Sequence, residues 1–120
     1  MTNEKIEELK IDEGIWIIFI LLSLLNIYGD ECEKDYYTYN DFKKDQTAKK
    51  TFTFTVFISL IIYIYFAYRN YQTVENLRNQ NKDYSLHKIR LIGSIFVVTG
   101  VFLLLYFQIG NSSANNPSTI

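Results

Sequence analysis

Residues 52–68 read FTFTVFISLIIYIYFAY, a run of 17 residues without a charged side chain. Residues 91–109, LIGSIFVVTGVFLLLYFQI, form a second uncharged run of 19 residues. A helix that crosses the hydrocarbon core of a bilayer needs about 20 such residues, within a range of about 17–25. Residues 14–28 add a third apolar run of 15 residues. The sequence therefore predicts an all-α integral membrane protein whose three transmembrane helices form a small bundle.

Charge is segregated along the chain, and this indicates the class of protein better than the average composition does. The mean hydropathy of −0.02 and the charged fraction of 21% would suit a soluble domain. However, all 13 acids and all 12 Lys and Arg residues lie outside the three runs. No segment between the runs is long enough to fold a core of its own, which excludes a water-soluble catalytic domain. The net charge of −1 indicates no nucleic-acid partner, and the abundance of Ile, Asn, Lys and Tyr favours a bacterial origin.

A single membrane domain over residues 1–120 is predicted. Its parts are an amphipathic lead-in (1–13), span 1 (14–28), a polar loop with a helical approach (29–50), span 2 (51–71), an extension and turn (72–87), span 3 (88–110) and a disordered tail (111–120). Thr38 or Asn40 is expected to cap the approach helix. Residues 79–81 are expected to reverse the chain, after which Asp83 or Ser85 caps the third helix.

Span 1 is the shortest of the three runs. Its 15 residues cover about 22 Å at about 1.5 Å per residue, against a hydrocarbon core of about 30 Å. Trp16 and Tyr28 lie near its two ends as interface anchors, which favours a spanning helix over the alternative, a re-entrant or interfacial segment. Acidic residues precede the run and no Ala-x-Ala-like site follows it, so an uncleaved helix is expected rather than a secretory signal.

The distribution of Lys and Arg predicts the orientation in the membrane. With three spans, seven of these residues share a side with the N-terminus and five lie in the first loop. Because cytoplasmic segments carry the excess of Lys and Arg, we expect the N-terminus inside and the C-terminus outside the cytoplasmic membrane.

Small and polar side chains mark the expected helix contacts. The candidate packing residues are Asn26, Thr51, Thr55, Ser59, Gly93 and Gly100. The three hydroxyl residues recur every four positions in span 2, and the two glycines lie seven apart in span 3. Small residues let transmembrane helices approach closely, and an amide inside a span hydrogen-bonds to a neighbouring helix. We interpret these residues first as contacts within the chain, with contact to a partner as the alternative.

No residue pattern predicts catalysis, a cofactor or a metal site. The acidic run 30–35 lacks the turn glycine and the spacing of a calcium loop and is interpreted as a solvated helix exit. Cys32 and His87 are expected on opposite sides of the membrane, so they cannot share a metal or form a nucleophile–base pair. No ionisable residue lies at the centre of a run, which weighs against proton-coupled transport. The tyrosine-rich run 36–39 is interpreted as a membrane-interface segment or a recognition surface.

The size and the three spans resemble, in layout only, those phage holins that have three transmembrane helices and oligomerise to open the cytoplasmic membrane. The tail after Gly110 is uncharged here but strongly charged in those holins, and the orientation expected here is opposite to theirs. The leading hypothesis is therefore a non-enzymatic membrane protein that binds another membrane protein or itself, such as an accessory subunit or an immunity-type partner. The alternative is an oligomeric pore-former of holin-like layout. The lipid bilayer is an expected partner, no cofactor is expected, and the sequence leaves the question of a small-molecule ligand open.

Overall fold

The computed structural model of the protein describes residues 2–113. This part of the chain forms three α-helices, α1 (Thr2–Tyr39), α2 (Phe42–Asn79) and α3 (Ser85–Ser113), and contains no strand. Each helix has an apolar window long enough to cross a membrane. The prediction of an all-α chain with three helices capable of spanning a membrane is therefore confirmed.

The chain divides into two compact units. The first comprises the described residues of Met1–Thr55 and Asn111–Ile120, and the second comprises Val56–Gly110. Apolar side chains buried in the first unit are Ile15, Leu22, Cys32, Tyr36 and Ala48. Those buried in the second unit are Leu60, Ile62 and Val74.

Residues 29–50 are helical almost throughout: the helical approach to span 2 is present, whereas the part before it continues α1 instead of forming a loop. α1 continues to Tyr39, and α2 begins at Phe42. The segment contains no proline, and its charges lie at helical spacing: Lys34 forms an exposed ion pair of 3.1 Å with Glu31, three residues earlier. Such pairs support a helix, whereas the sequence analysis took the same charges as a sign of a loop.

Asn40 and Asp41 form the whole connection between α1 and α2. Asn40 has a φ of 53°, and its N–H donates to the Tyr36 carbonyl at 2.7 Å. This is a left-handed helix terminus, a conformation that asparagine tolerates better than most residues. The carboxylate of Asp41 accepts a hydrogen bond of 3.0 Å from the Lys43 N–H and caps α2. The expected cap, Thr38 or Asn40, is therefore wrong, because Asn40 ends the preceding helix.

The connection between α2 and α3 lies where the sequence predicts it. Asn81 has a φ of 57°. Its N–H donates to Arg78 at 3.0 Å, while the Lys82 N–H donates to Leu77 at 2.9 Å. These two bonds form a Schellman motif, which satisfies the last carbonyls of α2. At the start of α3, the carboxylate of Asp83 accepts a hydrogen bond of 3.0 Å from the Ser85 N–H and one of 2.8 Å from the Ser85 hydroxyl. These two bonds lower the pKa of Asp83.

We expect Asn81→Ala to lower the free energy of unfolding by about 1 kcal/mol, because a Cβ-bearing residue without a helpful polar side chain is strained in the left-handed region. Asn81→Gly has no such strain and is expected to match the natural protein or exceed it slightly. Unfolding in mixed detergent micelles measures both variants. Equal losses for alanine and glycine would contradict this account of the turn.

Glycines near the ends of the first and third spans do not interrupt the helices. α1 runs through Gly14 without a break, so residues 3–13 continue the first helix rather than turning at its entry. α3 runs past Gly110 to Ser113, where the Ser112 hydroxyl lies 3.1 Å from the Thr53 hydroxyl of α2. Residues 111–113 are therefore helical, and the remainder of the tail predicted to be disordered, 114–120, lies outside the described residues.

Candidate functional site: the hairpin of α1 and α2

Two close contacts set the antiparallel register of α1 and α2 in the first unit. A Cβ built on Gly29 would lie 2.8 Å from the Phe52 ring, so the ring packs directly on the backbone of α1. One turn away along both helices, the Thr55 hydroxyl donates to Asn26 Oδ1 at 2.8 Å. If this register is continued toward the turn, Glu33 lies opposite Ala48, and Cys32 lies opposite Lys49. Ala48 is fully buried, which is typical of a small residue where two helices approach closely.

A cluster of buried charged side chains lies between the helices beyond this contact. Lys49 Nζ lies 3.4 Å from Asp45 Oδ2, and the two side chains are only 1% and 2% exposed. Glu33 of α1 is also buried, and both its carboxylate oxygens are removed from solvent. Lys, Asp and Glu are almost never fully buried unless they are paired. The cluster, defined here as Glu33, Tyr36, Asp45 and Lys49, is therefore the most unusual feature of the first unit.

Tyr36 connects the charges of the two helices. The centroid of its ring lies 5.5 Å from the centroid of the Phe42 ring across the turn. Burial raises the pKa of the Tyr36 phenol, and the negative charges of Asp45, Tyr37 and Glu33 raise it further. All of these groups lie outside the three apolar runs, so the cluster belongs to the polar end of the hairpin.

The raised pKa of Tyr36 predicts a loss of stability at high pH. The folded chain keeps this phenol protonated at a pH where the unfolded chain ionises it, near the ordinary pKa of 10.0. Unfolding then releases a proton, so the free energy of unfolding falls as the pH rises through about 10, and the contribution is complete below that value. Tyr36→Phe is expected to reduce this dependence when unfolding is compared between pH 8 and pH 11. Equal slopes in the natural protein and the variant would contradict the assignment.

The hydrogen bond between Thr55 and Asn26 joins two of the predicted packing residues across the hairpin. Thr55 is 2% exposed. A double-mutant cycle with Thr55→Val and Asn26→Leu is expected to give a coupling free energy of about 0.6 kcal/mol, the average for such bonds between membrane helices, and not above about 1.7 kcal/mol. Strictly additive losses would show that the bond contributes nothing to stability.

The other predicted packing residues differ in their surroundings. Thr51 and Ser59 are half-buried on α2. Gly93 and Gly100 are exposed on α3, and a Cβ built on either would meet no atom within 4 Å. The helix contact in the second unit instead uses their neighbour Ser94, which is hydrogen-bonded to the Asn70 amide of α2. The glycine pair is therefore an open face of α3 within the described chain.

The sequence analysis missed most of the residues that build the hairpin. Gly29 was taken as the start of a loop, and the acidic run 30–35 as a solvated exit, although Cys32 and Glu33 are buried. The four-residue spacing of Asp45 and Lys49 on a single helix was the available signal for an ion pair. Within residues 2–113, no three His, Cys, Asp or Glu side chains converge as a metal site would require.

Comparisons with protein-family models, with curated proteins and with solved structures found no match to this chain. Its functional interpretation therefore depends on the geometry alone. Chemically, the hairpin offers a preorganised charged core, a rigid helical surface around it and a short turn between exposed aromatic side chains.

Proposed function

We propose that this chain is a small, non-enzymatic multi-pass membrane protein that acts by binding another protein, as an accessory subunit or an immunity-type partner does. The observation that supports this most is how little of the apolar helices the chain covers. In the most apolar windows of α1 and α2 only 11% of the residues are buried, and in that of α3 none is. Such surfaces are available to lipid and to the helices of a partner, which associate by close packing.

The orientation that we propose has the N-terminus in the cytoplasm of a bacterial cell and the turn between α1 and α2 outside. It is supported by the excess of Lys and Arg on the side of the N-terminus and of the second connection. In this orientation, the polar end of the hairpin of α1 and α2, which encloses the charged cluster, lies on the outer side of the cytoplasmic membrane.

Reconstitution tests this function against the pore-forming alternative. The purified chain is inserted into liposomes that contain a self-quenched dye, and the same chain is isolated from cells in a mild detergent. A binding protein is expected to leave the dye inside and to isolate with a partner at a fixed ratio. Release of the dye by the chain alone would contradict the proposal and favour a pore-former.

Gly100→Leu makes the pore test specific. Gly100 is exposed, and a Cβ built on it meets no atom within 4 Å, so loss of dye release in a variant of unchanged stability reports a contact between chains. Thr55→Leu is unsuitable for this purpose because Thr55 is buried and bonded to Asn26. Phe96→Leu, at an exposed position of the same helix, is the control.

A further inference from the structure

A groove lies along the first turns of α2, on the outer surface of the hairpin. It has a volume of about 350 Å³. The lining residues are Phe42, Lys43, Gln46, Thr47 and Lys50. Among the residues that the structure describes, this lining combines one aromatic ring, two ammonium groups, an amide and a hydroxyl.

The positive charge of this groove follows from the buried cluster. Lys43 and Lys50 lie seven residues apart, so they project from one face of α2, and both are exposed. The only acid within this stretch, Asp45, is turned into the hairpin and paired there with Lys49. The ion pair therefore removes one charge of each sign from the surface, and Lys43 and Lys50 remain as exposed ammonium groups of the groove, with the Asp41 carboxylate at its end beside Lys43.

The groove and the turn beside it extend beyond the membrane. Along the helix axes, Tyr39 lies 11 residues past the end of the first apolar run and Phe42 lies 10 residues before the second, which correspond to about 15–16 Å at about 1.5 Å per residue. The headgroup layer on each side of the hydrocarbon core is only about 5–7 Å thick. Tyr39 is 75% exposed and Phe42 is 62% exposed, so the described part of the chain covers neither ring.

Aromatic side chains are enriched at protein-binding surfaces, and lysines beside them attract a partner that carries carboxylates. We propose that the groove binds an acidic segment of a partner protein outside the membrane, with Lys43 and Lys50 facing its carboxylates and Phe42 providing the apolar contact. This inference rests on the proposed function and names the surface and the charge of the partner. A bilayer surface is the less favoured occupant because the aromatic end of the groove stands beyond the headgroup layer.

Site-specific photocrosslinking in cells tests the proposal with the full chain. A benzophenone side chain replaces Phe42, an aromatic group for an aromatic group, and in a second variant it replaces Gln46, in case the bulkier ring disturbs the contact of Phe42 with Tyr36. The same probe at Phe102, an exposed position of α3, reports any partner that contacts the third helix instead.

The expected result is one protein adduct at position 42 or 46, with the crosslinked peptide rich in Asp and Glu. Lys43→Glu with Lys50→Glu is expected to reduce the adduct by about tenfold, because reversed charges repel an acidic partner. Lys34→Glu with Lys82→Glu changes the net charge equally at exposed positions outside the groove and is expected to leave the yield unchanged. Lysine substitutions of the partner's acids are expected to restore the adduct with the charge-reversed groove.

The other outcomes separate this inference from the proposed function. A protein adduct at position 102 with none at 42 or 46 would overturn the groove as the binding site and leave the proposed function standing. Adducts at 42 and 46 with lipid or with a second copy of the chain would also overturn the inference, as would a partner adduct insensitive to charge reversal. No protein adduct at any of the three positions would count against both proposals.

Discussion

Lys49→Met is expected to destabilise the protein by about 3–5 kcal/mol, the usual result of breaking a buried ion pair by removing one partner. The ammonium group of Lys49 lies 3.4 Å from the Asp45 carboxylate inside the hairpin, and the Glu33 carboxylate is buried beside the same helices. Without the lysine, buried negative charge remains in a place that water does not reach. The measurement is the free energy of unfolding in mixed detergent micelles.

Two further variants isolate the charge effect. Lys43→Met removes an exposed lysine from the same helix and is expected to change stability by less than about 0.5 kcal/mol. Glu33→Leu and Asp45→Leu with Lys49→Met replace all three buried charges by apolar groups of similar size, which is often neutral or stabilising, so this triple variant is expected to recover most of the loss. A triple variant no more stable than Lys49→Met alone would contradict this explanation.

Gly29→Leu is expected to cost about 1–3 kcal/mol, the usual penalty for overpacking a close contact. Even a single added carbon at this position would lie 2.8 Å from the Phe52 ring, so either the ring or the whole helix must move. The register of α1 and α2 depends on this contact, and the displacement is expected to weaken the neighbouring bond between Asn26 and Thr55 as well. Unfolding in the same micelles measures the loss.

Gly14→Ala is the matched control for this contact. Gly14 lies in the same helix, and a Cβ built there meets no atom within 4 Å. Alanine is favoured over glycine inside a helix by about 0.5–1 kcal/mol, so Gly14→Ala is expected to stabilise the protein slightly. Gly29→Leu combined with Phe52→Ala creates room for the new side chain and is expected to regain part of the loss. A Gly29→Leu protein as stable as the natural one would contradict the close packing.

The three helices capable of spanning a membrane could be predicted because hydrocarbon imposes a simple requirement on sequence. A spanning helix must be long and uncharged, and residues 52–68 and 91–109 show both properties. The turn after Asn79 could also be predicted, since two asparagines and a following aspartate are local signals for a left-handed helix terminus and a helix cap.

The polar end of the hairpin could not be predicted in the same way. Charged residues are usually exposed, so residues 29–50 were interpreted as a polar loop with a helical approach. Asp45 and Lys49 are buried only because another helix packs on them, and a single sequence does not show this pairing. The role of Gly29 depends likewise on its distance from Phe52, which is a tertiary property.

The candidate packing residues show the same limit. Asn26 and Thr55 could be chosen because each is a polar group in an apolar run, and the structure places them within hydrogen-bond distance. Gly93 and Gly100 carried an equally clear spacing, yet they face open space. The spacing of small residues predicts which face of a helix allows close approach. Which neighbouring element packs on that face depends on the rest of the fold.

Labelling of single cysteines tests the membrane account most directly. Cys32 itself is a poor reporter because it is only 2% exposed, so it is replaced by alanine and one cysteine is introduced at Tyr39, Leu24 or Leu103. All three positions are exposed on the protein. A difference in labelling between them therefore reports protection by the bilayer. In reconstituted vesicles, a water-soluble maleimide is expected to label Tyr39→Cys and to spare Leu24→Cys and Leu103→Cys until detergent is added. Rapid labelling of the two leucine positions in intact vesicles would contradict the proposal that these helices span a membrane.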